Sequence, residues 1–124
     1  MLDFLAISLG AVVGANLRYW MSRSALRWFG PVFPYSTLSI NVLGSFVLGF
    51  FMMWTTERAM VDPRWRLLIA VGFCGGYTTF SSYAYETVAF FEQGQWSFMA
   101  ANFLANNLLA CLAVMAGMAL ARVL

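Results

Sequence analysis

The chain has 124 residues, of which 62% are hydrophobic and only 10% charged, where a soluble domain carries about 25% charged residues. So little polar surface excludes a water-soluble globule. With no histidine and only five acidic residues, a zinc site or a general acid–base enzyme has almost no material to work with. The net charge of +2 comes from seven arginines and no lysine. They sit at the ends of apolar blocks, where long side chains reach water, so the charge reports membrane topology and not nucleic-acid binding.

The apolar residues fall in blocks of about 20, the length that crosses a bilayer core at 1.5 Å per residue. They predict an all-α integral membrane protein, a single domain over residues 1–124 with four transmembrane helices. The first span covers about residues 2–20 and runs into RYWMSRSALRW, an interfacial belt of arginine and aromatic residues. Asp3 and the lack of a basic segment before the apolar run mark it as a retained span and not a signal peptide. GPVFP at 30–34 breaks the chain, and the second span covers about 36–55. The loop ERAMVDPRWR follows, with Pro63 as a helix start signal. The third span covers about 67–91, EQGQW at 92–96 is a turn, and the fourth span covers about 97–120. Cys74 and Cys111 both fall within spans and read as small buried apolar residues.

The arginines divide almost evenly. Arg58, Arg64, Arg66 and Arg122 would lie on one side of the membrane and Arg18, Arg23 and Arg27 on the other, four against three. A slight excess sets one orientation under the positive-inside rule. Near balance also suits dual topology, in which the chain inserts both ways and pairs antiparallel with itself. Ala6, Gly10 and Gly14 line one face of the first span, and Asn41, Ser45 and Gly49 one face of the second. Such small-residue faces allow close helix contacts.

Several polar side chains lie inside the spans. An unpaired amide in hydrocarbon costs several kcal/mol, so Asn41, Asn102, Asn106 and Asn107 must face one another, a cavity or a partner. Asn102 and Asn106 share a face, while Asn107 points elsewhere. Two roles remain open, interhelical adhesion and a polar path. Neutral amides and hydroxyls solvate an anion without a fixed charge that would trap it. Glu86 is the one acid well inside a span.

The most unusual stretch is GFCGGYTTFSSYAYE, residues 72–86, with three glycines, seven hydroxyl side chains and Glu86 inside the third span. Gly72, Gly75 and Gly76 predict a helix broken near mid-membrane. Carbonyls freed there need a partner, and at that depth they suit a sodium ion. Beyond the break Thr79, Ser82 and Glu86 recur at helical spacing, with Phe80 and Tyr83 on a neighbouring face. An aromatic edge is electropositive and can contact an anion; the same two rings also serve as plain packing.

These residues resemble the CrcB/Fluc family of fluoride channels. The resemblance spans the whole chain and rests on Leu17–Trp20 (LRYW), Thr37–Ser45 (TLSINVLGS), Asp62–Arg66 (DPRWR) and above all the GG-x-T-T-F-S run. It implies an antiparallel, dual-topology homodimer in a bacterial inner membrane, with two fluoride pores at the dimer interface and a central structural sodium ion. On that pattern Gly75 and Thr78 offer backbone carbonyls to sodium. Asn41, Phe80, Tyr83, Thr79, Ser81, Ser82 and Asn106 line the pore. Glu86 lies on a polar track and Arg18 at an aqueous entrance. The partners implied are fluoride, lipid and a second copy. Two positions depart from the pattern: Tyr83 stands where a second phenylalanine is usual, and Ala110 where a pore serine is usual. Two alternatives stay open. One is a small proton-coupled multidrug-type exporter, whose carboxylate would have to be Glu86. The other is a non-conducting subunit of a heterodimer.

Overall fold

The computed structural model describes residues 1–58 and 60–124. Helix α1 spans Leu2–Phe29 and α2 spans Tyr35–Glu57. Helix α3 covers residues 63–77: an α-helical turn Pro63–Arg66, a π-helical stretch Leu67–Cys74 and a last α-helical turn Gly75–Tyr77. Helix α4 spans Phe80–Glu92 and α5 spans Trp96–Val123. No strand occurs among the described residues.

Helix α1 runs nine residues past Trp20, because the interfacial belt contains no breaker before Gly30. There φ is 75° and ψ is −177°, a region essentially reserved for glycine. The Gly30 N–H still donates to Leu26 O at 3.0 Å, closing the last turn. Pro63 opens α3 at its first position, where its missing N–H costs nothing. Asp62 caps that turn by accepting from Arg64 N at 2.9 Å.

The helices associate as two tight pairs, α1 with α3 and α2 with α5, and α4 lies on α5. Glycines set both pairings. In the first pair, a Cβ on Gly10 would strike Leu68 O and one on Gly76 would sit 2.8 Å from Ala11 O. In the second, a Cβ on Gly49 would lie 2.9 Å from Val114 Cα and one on Gly117 2.7 Å from Phe50 N. The expected break at the glycines is therefore relocated. Gly75 is right-handed helical, with φ −62° and ψ −37°. The chain leaves helical geometry at Thr78 (ψ 160°) and Thr79 (φ −148°, ψ 111°) and returns to it at Phe80. Gly72 and Gly76 serve packing against α1 and not backbone freedom.

The layer is thin. The chain exposes 7975 Å², where a water-soluble monomer of 13.9 kDa exposes roughly 6,700 Å². Its outer faces carry large apolar side chains such as Phe4, Val12, Leu108 and Met115. Cys74 is buried as expected, but Cys111 lies on an exposed face of α5. Helices α1, α2 and α5 are each long and apolar enough to cross a membrane.

Candidate functional site

The two non-helical residues are held by one side chain from α2. Asn41 Oδ1 accepts from Thr79 N at 2.8 Å, and Asn41 Nδ2 donates to Thr79 O at 3.1 Å. The amide thus replaces the helical bond that the Thr79 N–H forgoes and adds a second donor to its carbonyl, which as the N-cap carbonyl takes the first bond of α4. Asn41 Nδ2 also donates to Asn106 Oδ1 at 3.0 Å. Asn106 Nδ2 in turn donates to Asn102 O and Oδ1, both at 3.0 Å. Asn102 Nδ2 reaches Thr87 Oγ1 at 3.0 Å, which donates to Tyr83 O at 2.8 Å. One continuous amide and hydroxyl chain therefore ties α2, α5 and α4 together. Asn102 is fully buried, at 0% exposure.

Thr79 also starts α4. Its Oγ1 accepts from Ser82 N at 3.2 Å, an N-cap bond, and donates to Ser82 Oγ at 3.0 Å. Ser81 and Ser82 are themselves exposed. Because Thr79 N goes to Asn41 and Ser82 N to Thr79, the carbonyls of Gly75 and Thr78 lack their helical donors. Arg18 Nη1 donates to Thr78 O at 3.3 Å, while Thr78 Oγ1 turns back to Cys74 O at 2.9 Å. A carbonyl has two lone pairs, so Thr78 O keeps one for another cation. These neutral oxygens are the hard donors an alkali ion takes.

Next to them an open pocket of about 380 Å³ lies between α2, α3, α4 and α5. Asn41, Gly75, Thr78, Phe80, Tyr83 and Asn106 line it, and no charged side chain does. Phe80 is 77% exposed, turned out from the subunit, whereas Tyr83 is 7% exposed. Their rings meet edge to face, with centroids 5.4 Å apart. Ala110 lines the same pocket.

Glu86 lies elsewhere, on a second pocket of about 620 Å³ beside the 30–34 loop. Its Oε1 accepts from Thr37 Oγ1 at 2.6 Å, and its Oε2 is buried without a partner among the described residues. The structure therefore brings Asn41, Thr78, Thr79, Phe80, Tyr83 and Asn106 together and sets Glu86 apart from them. Sequence reasoning missed Thr37, Thr87 and the role of Asn107. Asn107 does diverge from the Asn102–Asn106 face, but its Nδ2 donates to Tyr83 Oη at 3.0 Å. The four-residue spacing of Asn107 from Phe103 and of Thr87 from Tyr83 was the one signal for these contacts.

Apolar helices of spanning length around an uncharged polar pocket define a multi-pass membrane protein. Residues 5–118 match the family described as CrcB-like protein, Camphor Resistance (CrcB). The chain belongs to the CrcB family. A protein of Koribacter versatilis is 57% identical over 97% of this chain and 95% of its own length. One from a Sulfurihydrogenibium species is 45% identical over 98% of each chain, and one from a Roseiflexus species 42% identical over 99% of each. All three relatives carry the name fluoride-specific ion channel FluC.

Proposed function

We propose that this protein is a passive fluoride channel of the bacterial inner membrane, exporting fluoride from the cytoplasm, and not an enzyme. The carrying observation is the uncharged pocket lined by Asn41, Phe80, Tyr83 and Asn106. A conducting site must bind an ion firmly enough to admit it and loosely enough to release it. Hydroxyls and ring edges meet that demand for a small anion, and a cationic side chain in the lining would not. The names of the relatives supply fluoride as the anion.

The functional unit is an antiparallel, dual-topology homodimer with two pores along its interface. The exposed ring of Phe80 and the open side of the pocket support a second copy at that face. The third span is α3 and α4 together, broken near mid-membrane at Thr78–Thr79. Gly75 and Thr78 carbonyls of both copies hold a structural sodium ion, which supplies a fixed central charge and ties the subunits together. Asn41 lines the pore while clamping Thr79, and Thr79, Ser81, Ser82 and Asn106 complete the polar lining. Glu86, with Thr37, stands on the polar track toward the loop side, and Arg18 stands beside Thr78 toward an aqueous entrance.

Liposomes containing the purified protein test this. With potassium fluoride or potassium chloride inside and valinomycin added, fluoride leaves rapidly and chloride does not. Equal leakage of both anions, or of neither, from a well-folded dimer overturns the proposal. The exporter alternative needs Glu86, which the structure places on the other pocket. A non-conducting subunit gives no flux until a partner chain is added.

A further inference from the structure

The polar side chains of the 380 Å³ pocket differ in what they have left to offer. Asn41 Nδ2 commits its hydrogens to Thr79 O and Asn106 Oδ1. Asn106 Nδ2 commits its own to Asn102, and Thr78 Oγ1 donates to Cys74 O. The amides and the threonine that line the pocket thus have no free hydrogen for a passing anion. Two hydroxyls of the lining remain, Ser45 and Tyr83, and what Tyr83 offers is set by Asn107.

Asn107 Nδ2 donates to Phe103 O at 2.7 Å. A backbone carbonyl can only accept, so the group facing it must be the NH2 end of the amide. The orientation of Asn107 is thereby fixed. The same nitrogen lies 3.0 Å from Tyr83 Oη, which must then be the acceptor. Tyr83 spends a lone pair on Asn107 and keeps its own O–H hydrogen. Among the described residues that hydrogen has no acceptor, and Tyr83 lines the pocket. The ring itself is held, at 7% exposure and edge to face with Phe80.

We propose that Asn107 is a positioning residue that turns the Tyr83 hydroxyl into an anion donor: it occupies the phenolic oxygen and leaves the O–H directed to a small anion in the pocket. This inference rests on the channel reading above. Without Asn107 the phenol rotates its hydrogen freely and can present oxygen lone pairs, which repel an anion. A phenylalanine ring would show only its electropositive edge and would need no such partner.

The test combines fluoride efflux from liposomes with anion titration of the Tyr83 ring, labelled with 13C at the tyrosine Cζ and assigned by Tyr83→Phe. Asn107→Leu should slow efflux roughly five- to tenfold, the scale of one lost hydrogen bond, with the dimer intact by size exclusion. Adding Tyr83→Phe to Asn107→Leu removes the unrestrained oxygen and should restore efflux. In the wild type, fluoride should shift the Tyr83 Cζ resonance, and in Asn107→Leu the shift should be lost. Efflux from Asn107→Leu within twofold of wild type overturns the proposal, and so does a double variant as slow as the single one. A Tyr83 resonance indifferent to fluoride and chloride also overturns it, whatever the flux. A wild type that passes no fluoride yet shows the Asn107-dependent shift would instead refute the channel reading and leave the anion donor standing.

Discussion

The clamp on Thr79 gives the sharpest quantitative test of how the interrupted segment is held. Asn41→Leu keeps the approximate volume of the side chain and removes every polar contact it makes. Thr79, only 7% exposed, then loses the partner of its N–H and one of the two donors to its C=O. Interhelical hydrogen bonds in membranes contribute about 0.6 to 2 kcal/mol each, and a buried group left unsatisfied costs about 1–3 kcal/mol. One orphaned N–H and the lost bonds to Thr79 O and Asn106 therefore put the loss at about 2–4 kcal/mol. Asn106→Leu leaves both contacts of Asn41 to Thr79 in place but strips Asn102 Oδ1, on a fully buried residue, of its donor, and should cost about 1–3 kcal/mol. The two changes share the Asn41–Asn106 bond, so the double variant should lose less than the sum. The assay is reversible unfolding in mixed micelles titrated with SDS, read by circular dichroism and tryptophan fluorescence. Protein concentration is held fixed so that any dimer equilibrium does not enter the comparison. Asn41→Leu within about 0.5 kcal/mol of wild type, the usual spread of neutral surface changes, would refute the clamp.

The glycines of the α1–α3 seam and of the pocket separate cleanly. A Cβ on Gly14 would lie 2.9 Å from Tyr77 N and collide with Phe73 O, and backbone cannot swing aside; Gly14→Ala should cost about 2–3 kcal/mol in the same SDS titration. A Cβ on Gly75 meets nothing within 4 Å in the subunit, so Gly75→Ala should keep the helical content and lower the dimer fraction in cross-linking, the mark of a second copy at that face. Glu86→Gln retains the acceptor for Thr37 Oγ1 and removes the charge; a channel keeps fluoride efflux close to wild type, whereas efflux falling to the protein-free background would favour the proton-coupled exporter.

Much of the class was legible because hydrocarbon imposes few solutions. Long apolar blocks, arginines at their ends and few polar residues within them leave little besides a helical membrane protein. The asparagines were legible for the same reason, since each needs a partner; Asn102 and Asn106, four residues apart, do bond to each other. What the spacing did not reveal was partner choice between helices. Thr37 with Glu86 and Arg18 with Thr78 are separated by 49 and 60 residues, and only helix packing brings them together. The glycines misled for a related reason. Glycine can loosen a backbone or admit a neighbour, and the two uses look alike in one segment alone. The four-residue step from Gly72 to Gly76, matched by Ala6, Gly10 and Gly14 in α1, was the sign that packing was the use here.

The location of the break follows from where the donors are. Gly76 could have been unwound, but its neighbours are backbone atoms of α1, which leave no room. Three residues after Gly76 the chain meets Asn41, which supplies one acceptor and two donor hydrogens in the plane of a peptide. A side-chain amide is the closest available mimic of the backbone it replaces. Thr79 then needs no partner beyond α2, and its hydroxyl restarts α4 by capping Ser82 N. The cost of leaving the helix is thus met inside the subunit. That leaves the carbonyls of Gly75 and Thr78, whose helical donors went to Asn41 and Thr79, as the groups with capacity to spare on the pocket side. The same asparagine that closes the break therefore decides which oxygens remain open, and this links the fold of α3 and α4 to whatever cation or partner copy the pocket face receives.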